Sequence, residues 1–115
     1  MKKTLLILLV IALYSCEGGT PVMSEDFLIG DWKYVNSYYN TSFPVEIKKG
    51  QMTQDGETYV MEIDSIVGNR MYYKLGFEGK RKRDRAAFEL ISRDTLANFS
   101  LIANKLRMDE LYIRQ

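Results

Sequence analysis

From Gly30 to the C-terminus, apolar and polar side chains alternate with a period of two, and this constrains the fold more than any other feature. Val45 and Ile47 alternate with Glu46 and Lys48, and Met71, Tyr73, Leu75 and Phe77 line one face opposite Arg70, Tyr72 and Lys74. Successive side chains of a strand point to opposite faces, so this pattern predicts strands buried on one side. Turn residues recur about every ten positions, among them Asp55-Gly56 and Gly68-Asn69. Ala86, Phe88 and Leu90 continue the alternation, followed by residues 96–101. In residues 105–114 the phase shifts between Leu106/Met108 and Leu111/Ile113, which predicts a bulge or a turn at Asp109-Glu110. The best helical window, residues 86–106, is interrupted by Asn98, Ser100 and Asn104. The expected fold is all-β, with roughly seven to eight short antiparallel strands. One apolar face must be covered, so the sheet either closes into a small barrel or packs as a sandwich, and closure also removes exposed edges.

The N-terminus obeys a different grammar. Lys2 and Lys3 precede an apolar run from Leu5 to Leu13 built only of leucine, isoleucine, valine and alanine. The run is well short of the roughly 20 residues that span a bilayer and suits the core of a cleavable export signal. Leu13-Tyr14-Ser15-Cys16 resembles the lipobox of bacterial lipoproteins: an aliphatic residue, a tolerant position, a small residue, then cysteine. That resemblance implies cleavage before Cys16 and diacylglycerol carried on its sulfur. Cys16 is the one cysteine of the chain, so no internal disulfide competes for it. The expected division is a signal peptide (1–15), a lipidated cysteine and flexible tether (16–26), and a small β domain (27–115). Gly18, Gly19 and Pro21 keep the tether irregular, and Ser24 is placed to cap one helical turn through Phe27 and Leu28. The expected location is the cell envelope, anchored to membrane by lipid. Glu17, in place of the aspartate linked to inner-membrane retention, favours the outer membrane.

Without residues 1–15 the chain carries 14 basic and 15 acidic residues, and the charge is uneven: residues 17–69 sum to −6 and residues 70–115 to +5. Strands from the two halves are expected to pair and neutralise each other. With no histidine in the chain, histidine-ligated prosthetic groups are excluded, and no cofactor or metal is expected. Glu62 and Asp64 stand two apart on one strand and read as a solvated outer face. No residue type is poised for proton transfer or attack, so the expectation is a non-enzymatic protein.

Candidate binding residues fall into two groups. Gly30-Asp31-Trp32 resembles the Gly-x-Trp signature that opens lipocalin-like domains, and the ending Glu110-Leu111-Tyr112-Ile113-Arg114 is similar to their last strand. The resemblance implies a glycine for a tight turn into the first strand, Trp32 closing the barrel floor, and Arg107 or Arg114 packed across the indole. Trp32, Tyr34, Tyr38 and Tyr39 are the aromatic candidates for a small apolar or sugar ligand, with the tyrosines at the mouth of the β structure. Lys80, Arg81, Lys82, Arg83 and Arg85, interrupted only by Asp84, form a basic hairpin loop. It is either solvated or docks on anionic lipid head groups; nucleic acid is not an expected partner outside the cytoplasm. Asp64-Ser65-Ile66 and Asp94-Thr95-Leu96 resemble a short O-glycosylation acceptor of exported bacterial proteins. The competing class is a protein-interaction or inhibitor lipoprotein without a small-molecule cavity. Mass spectrometry of the protein from its native membrane is expected to show a chain beginning at Cys16 with the added mass of acyl chains. Cys16→Ser should abolish detergent dependence, and an unmodified Met1 terminus would overturn the assignment.

Overall fold

In the computed structural model, which describes residues 22–115, a short helix α1 (Glu25–Leu28) leads into eight strands. These are β1 (Gly30–Asn36), β2 (Thr41–Lys48), β3 (Gln51–Gln54), β4 (Glu57–Val67), β5 (Arg70–Gly76), β6 (Asp84–Ser92), β7 (Thr95–Ser100) and β8 (Lys105–Arg114). Each strand pairs antiparallel with the next, and β8 returns to β1, so the sheet is a closed barrel rather than a sandwich. The signal segment, Cys16 and the first part of the tether lie outside the described residues. The packed domain starts ahead of residue 27: Met23 is buried in the core beside Leu28. Ser24 caps α1, accepting the Phe27 N–H at 3.1 Å, as its position predicted.

The inner faces follow the period-two reading through most of the chain. Val45, Ile47, Met61, Met71, Tyr73, Phe88 and Leu90 are buried. Asp55 and Gly56 both take positive φ, 48° and 85°, the geometry that suits a two-residue hairpin to the twist of its strands. Asp64–Lys74 (3.5 Å) and Glu62–Arg83 (3.6 Å) join the acidic half of the chain to the basic half.

One expectation changes and one open alternative is resolved. Phe77 does not extend the buried face of β5: the strand ends at Gly76, and Phe77 is 51% exposed. The chain turns at Gly76 because the loop folds back against it; a Cβ there would sit 2.5 Å from the Lys82 carbonyl oxygen. On β8 the predicted irregularity is a bulge: Ala97 faces Leu111, whereas the next residue, Asn98, faces Arg107. Beyond it Tyr112 packs inward opposite Leu96, while Leu106 and Leu111 are only half-buried and Ile113 is 37% exposed. Leu111 and Ile113 therefore lie toward the outer wall, while Glu110 and Tyr112 turn inward.

One end of the barrel is plugged. Trp32 Nε1 donates to the Leu28 carbonyl at 2.8 Å, tying α1 across the opening. The Arg114 guanidinium lies 4.2 Å from the Trp32 ring centroid and 4.8 Å from that of Phe27, and donates to the Phe27 carbonyl at 2.6 Å. Gly30 has φ 139°, a conformation side chains rarely adopt. Of the two arginines expected near the indole, Arg114 occupies the place. Trp32→Ala is expected to destabilise the domain by about 3–5 kcal/mol through the cavity it leaves. Arg114→Ala should cost about 2 kcal/mol by loss of a charge-assisted hydrogen bond and a cation–π contact. Urea unfolding monitored by far-UV circular dichroism checks both.

Candidate functional site

Up-and-down topology places α1 and the Lys49-Gly50, Gly68-Asn69 and Arg93-Asp94 turns at the plugged end. The β1–β2 turn, the Asp55-Gly56 turn, the β5–β6 loop and the β7–β8 turn gather at the opposite end. There the wall parts. Pairing of β6 with β7 runs from Phe88↔Asn98 to Ser92↔Thr95. Residues 84–87 pair with β5 alone, and residues 99–100 with β8 alone. The resulting cleft, about 370 Å3, runs from Arg85, Phe99, Leu101 and Ile102 on the outside to Tyr73, Asn98, Glu110 and Tyr112 inside.

A polar network organises the interior wall. Tyr34 donates its hydroxyl to Glu110 Oε1 at 2.8 Å and accepts from Asn36 Nδ2 at 3.2 Å. Asn98 Nδ2 approaches the same carboxylate oxygen at 3.4 Å. Arg107 lies 3.7 Å from the other oxygen of Glu110 and bonds Asp109 through Nε and Nη2 at 3.1 and 3.0 Å. Burial, then the hydrogen bond to Glu110, pushes the Tyr34 hydroxyl up to about 12. Burial also raises Tyr73 and, with the neighbouring Tyr34, Tyr112. These phenols stay neutral and act as donors and acceptors, and the cleft offers aromatic faces beside a carboxylate, a guanidinium and a carboxamide. Such a lining can orient a small amphipathic molecule.

The fold separates the aromatic candidates. Trp32, 1% exposed, belongs to the plug at the far end. Tyr34 is inside, stacked on Phe43 at 4.7 Å and close to Tyr112 at 5.2 Å. Tyr38 and Tyr39 stand on the open rim, 76% and 72% exposed, with their rings edge to face at 4.9 Å. Tyr39 N–H bonds Asn36 Oδ1 at 3.0 Å, which shapes that turn.

The basic run is likewise divided. Lys80 and Lys82 line one side of the β5–β6 loop, and Lys80, Arg81 and Arg85 line the other. Arg83 is an internal clamp: its Nη1 donates to the carbonyls of Phe77 (3.1 Å), Lys80 and Lys82 (3.3 Å), and its Nε faces Glu62. Glu62 and Asp64 do not act as a pair, since each is held by its own cation and the strand bulges between Ile63 and Ser65. Sequence reasoning missed Asn98 and Glu110, and offered Arg107 only as a partner for the indole. Their signal is a polar residue in the inward phase, visible once the β8 bulge is placed.

Among the described residues no group of three or more His, Cys, Asp or Glu side chains is placed to hold a metal. No protein-family model matches the chain, and no curated protein or solved structure matches it.

A raised phenol pKa makes the fold sensitive to alkali. Between the unfolded tyrosine value of about 10 and the folded value of about 12 for Tyr34, the unfolded chain has lost a proton that the folded chain retains. Stability is therefore full below about pH 10 and falls as pH rises through that window. Tyr34→Phe should flatten the fall, read as the difference in urea midpoint between pH 9 and pH 11 for parent and variant.

Proposed function

We propose that this chain is a membrane-anchored, non-enzymatic envelope lipoprotein whose β-barrel binds a small amphipathic ligand at its open end. The observation that carries the binding reading is the parted wall: a cleft of about 370 Å3 that opens the barrel interior at Tyr73, Asn98, Glu110 and Tyr112. Its volume falls within the roughly 300–1,000 Å3 common among small-molecule sites. A cleft that sets aromatic faces beside a carboxylate, a guanidinium and a carboxamide suits a ligand with both characters. The anchoring half of the proposal rests on the Lys2–Cys16 pattern. Chain direction is compatible with it: the described chain enters the barrel through α1 at the plugged end, opposite the open end.

A second reading has its own observation. Ile102 is fully exposed at 101%, and with Tyr38 and Tyr39 it rings the same open end. A protein partner seated there would bury all three, as aromatic anchors do at interfaces.

Ala86 lines the wall cleft and the grooves beside it, so Ala86→Phe separates the readings. In thermal unfolding against a panel of amphiphiles and sugars, at least one compound is expected to raise the parent midpoint and leave Ala86→Phe unmoved. Ligand at a hundred times its dissociation constant contributes about 2.7 kcal/mol, worth about 4–8 °C per kcal/mol in a domain this size. A panel without effect on the parent, together with a partner lost on Tyr38→Ser, Tyr39→Ser and Ile102→Ser substitution, would favour the protein-partner reading.

A further inference from the structure

Beside the wall cleft, the β5–β6 loop covers a second hollow with a different chemistry. It measures about 460 Å3, and its lining combines Tyr59, Leu75, Phe77 and Ala86 with Lys80, Lys82 and Asp84. The Tyr59 and Phe77 rings lie 5.1 Å apart, tilted by 37°, and form an aromatic wall. Phe77 leaves 51% of its surface uncovered, so apolar area is available for a ligand to bury. Lys48, Arg70, Lys74, Arg83, Arg107 and Arg114 each have a carboxylate within 4.0 Å, whereas among the described residues Lys80 and Lys82, like Lys33, Lys49, Arg81, Arg85 and Lys105, have none. The loop that presents these ammonium groups is held by the Arg83 clamp and by the tight approach at Gly76. The hollow is thus built by the fold before anything enters it.

We propose that this hollow binds an amphiphile bearing a single carboxylate on an apolar body. The apolar body lies along Tyr59, Phe77 and Leu75, and the carboxylate accepts charge-assisted hydrogen bonds from Lys80 and Lys82. Two ammonium groups and the Asp84 carboxylate leave the lining at +1, which matches a monoanion and disfavours a more highly charged phosphate. This assignment rests on the reading of the open end as a ligand-binding site and deepens it. Because the head group stays near solvent, its contribution is screened by salt.

The test uses the full chain in nanodiscs of neutral phospholipid, titrated by calorimetry with decanoate, naphthoate and decanol. Empty discs provide the background. Saturable binding of a carboxylate is expected, with decanol at least about fivefold weaker, as the loss of roughly 1 kcal/mol of charge contact implies. Decanoate against naphthoate distinguishes an acyl from an aromatic body. Lys80→Ser/Lys82→Ser should weaken carboxylate binding to the level of decanol and remove its salt dependence. Phe77→Ser should weaken both carboxylate and alcohol. An unchanged melting temperature in each variant shows that the fold is intact. Equal binding of decanoate and decanol by the parent, or parent-like carboxylate binding by the double lysine variant, overturns the assignment while leaving the Ala86→Phe result standing. Absence of saturable carboxylate binding also overturns it.

Discussion

The contact between Trp32 and Arg114 is the constraint on which the rest of the molecule depends. A closed barrel has two ends, and an uncovered end admits water to the apolar interior. Here the indole, the guanidinium across it and the α1 turn close one end with paired polar atoms: the indole N–H meets the Leu28 carbonyl and the guanidinium meets the Phe27 carbonyl. Beneath this plug the core can be fully apolar, with Leu28, Met52, Met71, Phe88 and Leu96 all at 0% exposure. The polar interior at the other end is tolerable because the apolar layer is complete without it.

Much of this was legible in the sequence, for a physical reason. Period two is a property of every strand, so Val45/Ile47 and Met71/Tyr73 announce their burial independently of the strands they pair with. The Asp55-Gly56 turn and the Ser24 cap are similarly local. Arg114 could not be separated from Arg107 by local pattern, because which one meets Trp32 depends on how β8 registers on β1 after the bulge. The same bulge hid the candidate site: Glu110 and Asn98 look like surface residues until the shift at Ala97/Asn98 turns them inward.

The basic run was legible as charge but not as direction. Five cations in six positions read as one patch, since charge is visible in sequence and direction is not. Backbone fold-back at Gly76 sends them to different tasks: Arg83 is consumed in holding carbonyls, Lys82 borders the hollow, Lys80 borders both the hollow and the groove across the loop, and Arg81 and Arg85 line that groove.

The pairing of β1 with β8 also governs the route by which the molecule forms. Residues 32 and 114 are close to the two limits of the folded segment, so their meeting has nearly the largest sequence separation the domain allows. Hairpins between neighbouring strands cost little loop entropy, but this seam costs more, and it falls late in any plausible order of events. Until residue 114 is free to dock, the sheet remains an open ribbon with two unpaired edges. Closure is thus the step that converts an extensible meander into a ring, and it carries the largest loop-closure cost of any strand pairing in the barrel.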